Sequence, residues 1–397
     1  MWEQIRENRL RSILLTVSMG LLLLAVGYFL GIYFFESGAA GLVIALVIWL
    51  VMNLVAYFQG DSILLAVSGA RRIGPDDHPR LYNIVEEMKI ASGLEKLPDV
   101  YIIDDPAPNA FATGRSPQKA SLAVTSGLLE MTNRDELQGV VGHEVAHIKN
   151  RDVLLMSVAG ILLGTIVILA WYASRMLLFS GMSGGRRDSR RGGGQGQIIL
   201  LVVGLVLMIL APIAAQLLYF AISRRREYLA DASSALYTRY PEGLASALEK
   251  IAGSSAQMKK ANQATAPMYT VNPFRKKGRE ANDWSSTHPP ISERVRILRA
   301  MGGASYADYA RSFQQVHGGN VMPPSALAAA GVAPLRAPSR EEAPARLERT
   351  RETTDLVQRL EHYRIIDCGC GTRLKIPPDY KGPEVRCPAC GERHPAA

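Results

Sequence analysis

Four long apolar blocks interrupt this chain, and they restrict its possible folds more than any other feature. They run from Ser12 to Phe35, Gly38 to Phe58, Val153 to Phe179 and Gln197 to Ile222. Each reaches the roughly 20 residues that a helix needs to cross a bilayer core of about 30 Å. Arg175, near the end of the third block, is the one charge among them and can snorkel to the interface. The average of 48% hydrophobic and 20% charged residues therefore describes neither the blocks nor the segments between them. The first block follows Arg6, Arg9 and Arg11 as a cleaved leader would. Its apolar run outlasts the roughly 7–15 residues of a leader's apolar region, and no small-residue cleavage pattern follows, so it is expected to be retained.

Basic residues beside membrane spans mark the cytoplasmic face. The N-terminal arginines, then Arg71, Arg72 and Arg80, then "SRRRE" after the fourth block place those segments inside. The loop "SGMSGGRRDSRRGGGQG" disagrees, because an even number of crossings puts its Arg186, Arg187, Arg190 and Arg191 outside. The second hairpin thus either crosses against the charge tendency or enters the bilayer without traversing it. The net charge of +9 suits contact with anionic lipid, and no nucleic-acid recognition motif accompanies it.

Between the second and third blocks lies a soluble segment. Pro79 to Ser92 has helical spacing, with apolar Leu81, Ile84, Val85, Met88 and Ile90. Val100 to Ile103 reads as a strand, and "ASLAVTSGLL" as a second strand that turns into a helix or loop. Asn133 followed by Glu136 is a capping box, which starts a helix at about Arg134 that ends near Asn150. Ser223 to about Ala304 is charged and helical in pattern. The Pro, Ala and Gly of Gly318 to Leu335 read as a flexible linker, and Ser339 to Arg364 as a solvated charged helix. The resulting division is 1–58 first hairpin, 59–152 and 223–304 catalytic parts, 153–222 second hairpin, 305–364 linker and charged helix, and 365–397 cysteine unit.

The helix from Arg134 contains "GHEVAHIKNRD". His143 and His147 lie four apart, on one face, and can direct both imidazoles at one ion. Glu144 falls beside them, where its carboxylate can take a proton from an attacking water without being a ligand. The apolar neighbours Val140, Val141, Val145 and Ile148 mark a buried helix, in which those polar groups need partners. Such a motif alone is equally an ordinary amphipathic helix. A third ligand must come from the same side of the membrane, and "SRRREYLADASSA" supplies Glu227, with Asp231 one turn on to hold a ligand imidazole in its tautomer. On its own Glu227 is a partner for the preceding arginines. However, His147 precedes the third block and Glu227 follows the fourth by a few residues each, so one hairpin brings them to the same depth.

These motifs, together with "STHPPISERVRIL" and the N-terminal apolar hairpin, resemble the HtpX heat-shock proteases, a family of membrane zinc metallopeptidases; the resemblance covers about Met1 to Met301. It implies an α+β multi-pass membrane protein, with transmembrane helices, a mainly helical zincin-type peptidase domain and a small β-sheet. It implies His143, His147 and Glu227 as ligands of one catalytic zinc, Glu144 as general base and Asp231 behind the ligands. His288, by itself a turn or surface histidine, is implied to stabilise the transition state. "PAPNAFATG" resembles the family's substrate-pairing edge, which implies Asn109, Ala110 and Phe111 as substrate contacts; from the residues alone it is equally a loop between strands. The implied activity is cleavage of misfolded or surplus membrane proteins at the cytoplasmic face of the cell's inner membrane, in protein quality control. A narrow-specificity processing peptidase, or an inactive zinc-containing scaffold, are the other readings.

All four cysteines fall near the end, Cys368 and Cys370 in "CGCG" and Cys387 and Cys390 in "CPAC". Two close pairs at this separation fit a zinc ribbon with a second, structural zinc. Disulfides are the alternative, which a cytoplasmic position disfavours. This unit departs from the family's pattern. Docking of a protein, autoregulation or nucleic-acid contact are its open uses.

Overall fold

The structure is a computed structural model that describes residues 2–157, 224–259, 268–271, 288–322, 324–328, 333–339 and 344–396, with isolated positions between 166 and 213. Most of the third apolar block, the arginine-rich loop after it and nearly all of the fourth block lie outside the described residues. The first two blocks form an antiparallel hairpin of α1 (Trp2–Phe35) and α2 (Gly38–Ser68). Glycines let the two backbones touch: a Cβ on Gly31 would sit 2.5 Å from Gly41 Cα. Among the described residues α2 is the one helix long and apolar enough to cross a membrane. It outruns the apolar block, continuing past Phe58 to Ser68, and its Leu64 and Leu65 are buried against Ile103, Phe111 and Tyr269. The hairpin is thus joined to the sheet by continuous helix.

A four-stranded sheet follows, ordered β1 (Ala70–Arg72), β2 (Asp99–Ile103), β4 (Lys119–Thr125), β3 (Ala110–Ser116). β2 and β4 run parallel; the outer pairs are antiparallel, which leaves β3 on an edge. α3 (Pro79–Ser92) buries Leu81, Ile84, Val85 and Met88, but Ile90 is 70% exposed. Two residues beyond Met88 it has turned about 200° to the opposite face. After β4 the chain passes into α4 (Ser126–Met131) and α5 (Arg134–Lys149). The capping box forms as read: Asn133 Oδ1 accepts the N–H of Glu136 at 2.9 Å, and Glu136 Oε2 accepts that of Asn133 at 2.8 Å.

A helix whose described part is residues 224–238 (α6), then α7 (Pro241–Gly253), α8 (Ile291–Arg299) and α9 (Tyr306–His317), complete the domain. α7 crosses α5 so closely that a Cβ on Gly139 would lie 2.5 Å from Leu244 N. One continuous core runs from Leu81 and Ile84 through Val140 and Val145 to Leu248, Leu298 and Phe313.

Two expectations for the C-terminal region change. The core does not end at Ala304, because α9 buries Tyr309 and Phe313 in it. Nor are the described residues of the presumed linker loose. Ala304 N–H donates to Ala333 at 2.8 Å, Arg336 donates to Asp135 and Gln138 at 2.7 Å each, and Ser339 N–H donates to Asp135 at 2.8 Å. The charged helix, α10 (Arg346–Leu360), is docked, not solvated: Leu356 and Thr353 have no exposed surface and Arg349 donates to the Glu130 carbonyl at 3.1 Å. Its inward face is largely polar, which is why composition concealed it. The chain ends in two hairpins, β5–β6 (Arg364–Asp367, Arg373–Ile376) and β7–β8 (Glu384–Arg386, Arg393–Pro395).

Candidate metal centre

α5 and α6 face each other and bring His143, His147 and Glu227 together, all buried. The two Nε2 atoms are 3.3 Å apart; Glu227 stands 3.5 Å from His143 Nε2 and 3.4 Å from His147 Nε2. A tetrahedral ion with bonds of about 2.0–2.1 Å sets its ligand atoms roughly 3.3–3.4 Å apart. The separations are of that size, with Glu227 presenting Oε2 to His143 and Oε1 to His147, so its carboxylate borders the same point as the two imidazoles.

The far side of each ring is equally specified. His143 Nδ1 meets Asp231 Oδ1 at 2.9 Å and His147 Nδ1 meets Asp152 Oδ2 at 3.2 Å. A carboxylate on Nδ1 fixes the tautomer that leaves Nε2 free to bind a metal. Asp231 was legible from its one-turn offset to Glu227. Asp152, the last residue of the motif quoted above, carries no comparable signal in the sequence. Arg151 takes the left-handed conformation, φ 61°, in the turn between α5 and the helical residues 152–157.

Arg294 of α8 also lies here with no exposed surface. Its Nε and Nη2 donate to the two oxygens of Asp231 at 2.8 and 2.6 Å, and Nη1 is 3.6 Å from Glu227. His288, 4% exposed, puts Nδ1 2.8 Å from Glu227 Oε2. Glu144, 1% exposed, receives the hydroxyl of Thr270 at 2.6 Å.

The charges support a cation. Around the two rings the buried carboxylates of Glu144, Asp152, Glu227 and Asp231 face the buried guanidiniums of Arg226 and Arg294. Among the described residues the buried carboxylates here outnumber the buried guanidiniums, an excess of negative charge that suits a cation. Burial opposes charging of His143, but its bonds to Asp231 and Glu227 outweigh that and raise its pKa. For His147 burial is overcome by Asp152 and then Glu227, more strongly. Burial likewise resists ionisation of Glu227, yet the charge of His288 and the hydrogen bonds from both imidazoles hold it well below the carboxylate range. The carboxylates thus favour positive charge at the two imidazoles. The residues present fit zinc.

The substrate contacts implied by the resemblance lie at the start of the edge strand. Ala110 and Phe111 belong to β3 and Asn109 precedes it, and all three are buried. The Ala110 carbonyl accepts the N–H of Thr270 at 2.8 Å, and the Asn109 amide is bonded to the backbone of Val271. Phe111 pairs across to Ala123 of β4 and faces the ring of Tyr269.

In the terminal unit the four cysteines are free and converge. Sγ separations are 3.4 Å for Cys368–Cys390, 3.5 Å for Cys368–Cys370 and 3.7 Å for Cys370–Cys387. Zn–S bonds of about 2.3 Å set sulfurs roughly 3.8 Å apart, whereas a disulfide needs about 2.05 Å. Each pair sits on the same turn: Gly371 N–H returns to the Cys368 carbonyl and Gly391 N–H to that of Cys387, with φ of 84° and 83°. The Cys390 backbone N–H, opposed by burial, lowers the Cys387 thiol to about 6.

Comparison with known proteins agrees with this geometry. The sequence pattern of peptidase family M48 matches residues 75–302. The protease HtpX homolog of Dictyoglomus turgidum is 46% identical over 301 residues, 76% of this chain and 95% of that protein. The protease HtpX homolog of Streptococcus pneumoniae is 43% identical over 301 residues, 76% of this chain and all of that protein. The crystal structure of S. mikatae Ste24p covers 74% of this chain and 66% of its own at 18% identity and a TM-score of 0.37, a likeness too loose to carry argument.

Proposed function

Given that the chain belongs to peptidase family M48 and is a zinc metallopeptidase related to the HtpX proteases, we propose that it is a multi-pass membrane endopeptidase. It cleaves misfolded or surplus membrane proteins at the cytoplasmic face of the inner membrane. The observation that carries the catalytic part is the triangle of His143, His147 and Glu227 with Glu144 beside it. When bound, zinc polarises the scissile carbonyl and makes water acidic enough to react near neutral pH. Glu144 takes a proton from the attacking water and returns it to the leaving amine. His288, beside Glu227, donates toward the oxygen that becomes negative. Asp231 and Asp152 keep the two ligand rings aimed.

An extended substrate adds to the β3 edge through main-chain bonds, which favours unfolded segments over any one sequence. Outward-pointing backbone groups alternate along an antiparallel strand. Thr125 N–H donates to the Asn109 carbonyl, so the outward set is Ala110, Ala112 and Gly114. The carbonyl of Ala110 is engaged by Thr270, which leaves Ala112 and Gly114 to receive substrate. Past Gly114 the strand meets α2, where Arg115 lies 6.0 Å from the Tyr57 ring and 5.8 Å from that of Phe58. This nearness of the strand's end to the apolar hairpin supports membrane proteins as substrates. The terminal unit holds a second, structural zinc.

The test uses the full chain in detergent with zinc, and a Glu144→Gln variant, on fluorescein-labelled casein. Cleavage by the wild type alone is expected; equal cleavage by both, or by neither with zinc bound, refutes the peptidase assignment of Glu144. Metal analysis of the same preparations should find two zinc per chain, and one after Cys387→Ser with Cys390→Ser. An unchanged count rules out the terminal site.

A further inference from the structure

Residues 268–271 form a buried strap along the start of β3, and the mechanism above gives it no task. Its backbone is held from three sides. Thr270 N–H donates to Ala110 at 2.8 Å, and the Thr270 carbonyl receives Arg294 Nη1 at 3.4 Å. Asn109 clamps Val271, with Nδ2 donating to its carbonyl at 2.7 Å and Oδ1 accepting its N–H at 3.2 Å. Tyr269, with no exposed surface, packs edge-on against Phe111 at 5.1 Å between centroids and donates its hydroxyl to Ser68 of α2 at 3.3 Å.

The Thr270 hydroxyl lies 2.6 Å from Glu144 Oε1 and 3.0 Å from the Ala110 carbonyl. It has one proton. The shorter contact, in the range of a charge-assisted bond to a carboxylate, takes it. Among the described residues this is the one hydrogen bond that the Glu144 side chain receives.

A strap across a cleft can be an obstruction that substrate must lift, or a fixed part of the catalytic apparatus. Lifting this one would expose a fully buried tyrosine and break several buried hydrogen bonds together, leaving Asn109 and Arg294 short of partners. Fixed anchoring is what a positioning element needs. We infer that Thr270 is a positioning residue for Glu144: its hydroxyl, set by a backbone anchored on Asn109, Ala110 and Arg294, holds one carboxylate oxygen so that the other faces the attacking water. The inference rests on the assignment of Glu144 as the base.

Thr270→Val keeps the shape and removes the donor; Thr270→Ser keeps the donor. On fluorescein-labelled casein, with the zinc-loaded full chain in detergent, Thr270→Val should lower kcat roughly 10- to 100-fold with KM within about twofold, while Thr270→Ser stays within about threefold of wild type. Zinc per chain should not change in either. Wild-type kcat in Thr270→Val overturns the inference, as does an equal fall in both variants, a change confined to KM, or a rise in activity that would mark the strap as an obstruction. Should Thr270→Val lose zinc or melt early, Thr270→Ser is compared with Thr270→Ala. Both lack the γ-methyl, so equal kcat in that pair overturns the inference too. Glu144→Gln, run alongside, separates the two ideas. If it retains activity, the base assignment fails; if it is dead while Thr270→Val matches wild type, only the role of Thr270 fails.

Discussion

Arg294 offers a direct way to ask whether the site is held by charge. Its guanidinium is buried and donates twice to Asp231, which in turn holds His143. Burial pushes the Asp231 carboxyl toward its neutral form, and the charge of Arg294 reverses this and lowers its pKa. Arg294→Met fills similar space but strands that carboxylate. Removing one partner of a buried pair costs about 3–5 kcal/mol, and for a domain of this size each kcal/mol moves Tm by roughly 2–4 °C. A fall in Tm of the order of 10 °C is expected for detergent-solubilised protein melted in excess chelator, where zinc linkage does not contribute. Adding Asp231→Leu removes the stranded charge, so the double variant should recover most of the stability. It should not recover the metal: without Asp231, His143 loses its aim, and zinc affinity measured by chelator competition should stay about 10- to 100-fold below wild type. A single variant that melts within about 2 °C of wild type, or a double variant that melts below the single, would refute the reasoning.

Asp152→Asn should weaken zinc about tenfold or more, because the carboxylate that meets His147 Nδ1 at 3.2 Å becomes a neutral amide; unchanged affinity in chelator competition would show that Asp152 does not orient the ring. His78 gives a pH signature away from the metal. It caps α3, with Nδ1 accepting the N–H of Leu81 at 3.2 Å, and burial, then the charge of Arg80, lowers its pKa from 6.5 to about 4. Between those values the unfolded chain binds a proton that the folded one refuses, so this contribution is complete above pH 6.5 and declines as pH falls to 4, by up to about 3 kcal/mol. His78→Asn keeps a capping side chain and should flatten the change in Tm between pH 7 and pH 5; parallel profiles would sink the assignment.

α5 was legible because its signals are local: a cap, a four-residue histidine pair and an apolar face all lie within one stretch. Asp231 was legible for the same reason, as a one-turn offset from Glu227. Arg294 was not, although a signal existed. It lies between Ile291, Val295 and Leu298 on the apolar stripe of α8, and a charge on such a stripe needs a buried counter-charge. Its partner sits on another helix, and periodicity does not name partners. Thr270 was hidden similarly inside "PMYTV", where it reads as a small β-former. α9 carried Tyr306, Tyr309 and Phe313 at helical spacing, and these three side chains extend the core past residue 304. β1 is two arginines and an alanine, and pairing with β2 alone makes it a strand.

The C-terminal extension and the metal are linked through one helix. α5 holds both histidines, and its first turn is gripped from outside the capping box. Lys250 donates to Glu136 at 2.7 Å, and Arg336 and Ser339 both bind Asp135. Asp135 is eight residues before His143, about 12 Å along the axis. Arg336 is held in turn by donating to the Thr238 carbonyl at 2.9 Å, at the end of the helix that supplies Glu227. One arginine of the extension therefore ties the two ligand-bearing helices to each other. Farther on, Arg373 and Lys375 of the cysteine unit pair with Asp355 of α10, while Arg349 of that helix binds the carbonyl of Glu130. The cysteine unit is thus joined by ion pairs to a helix that is itself seated on the peptidase domain, at the Glu130 carbonyl just before α5 begins.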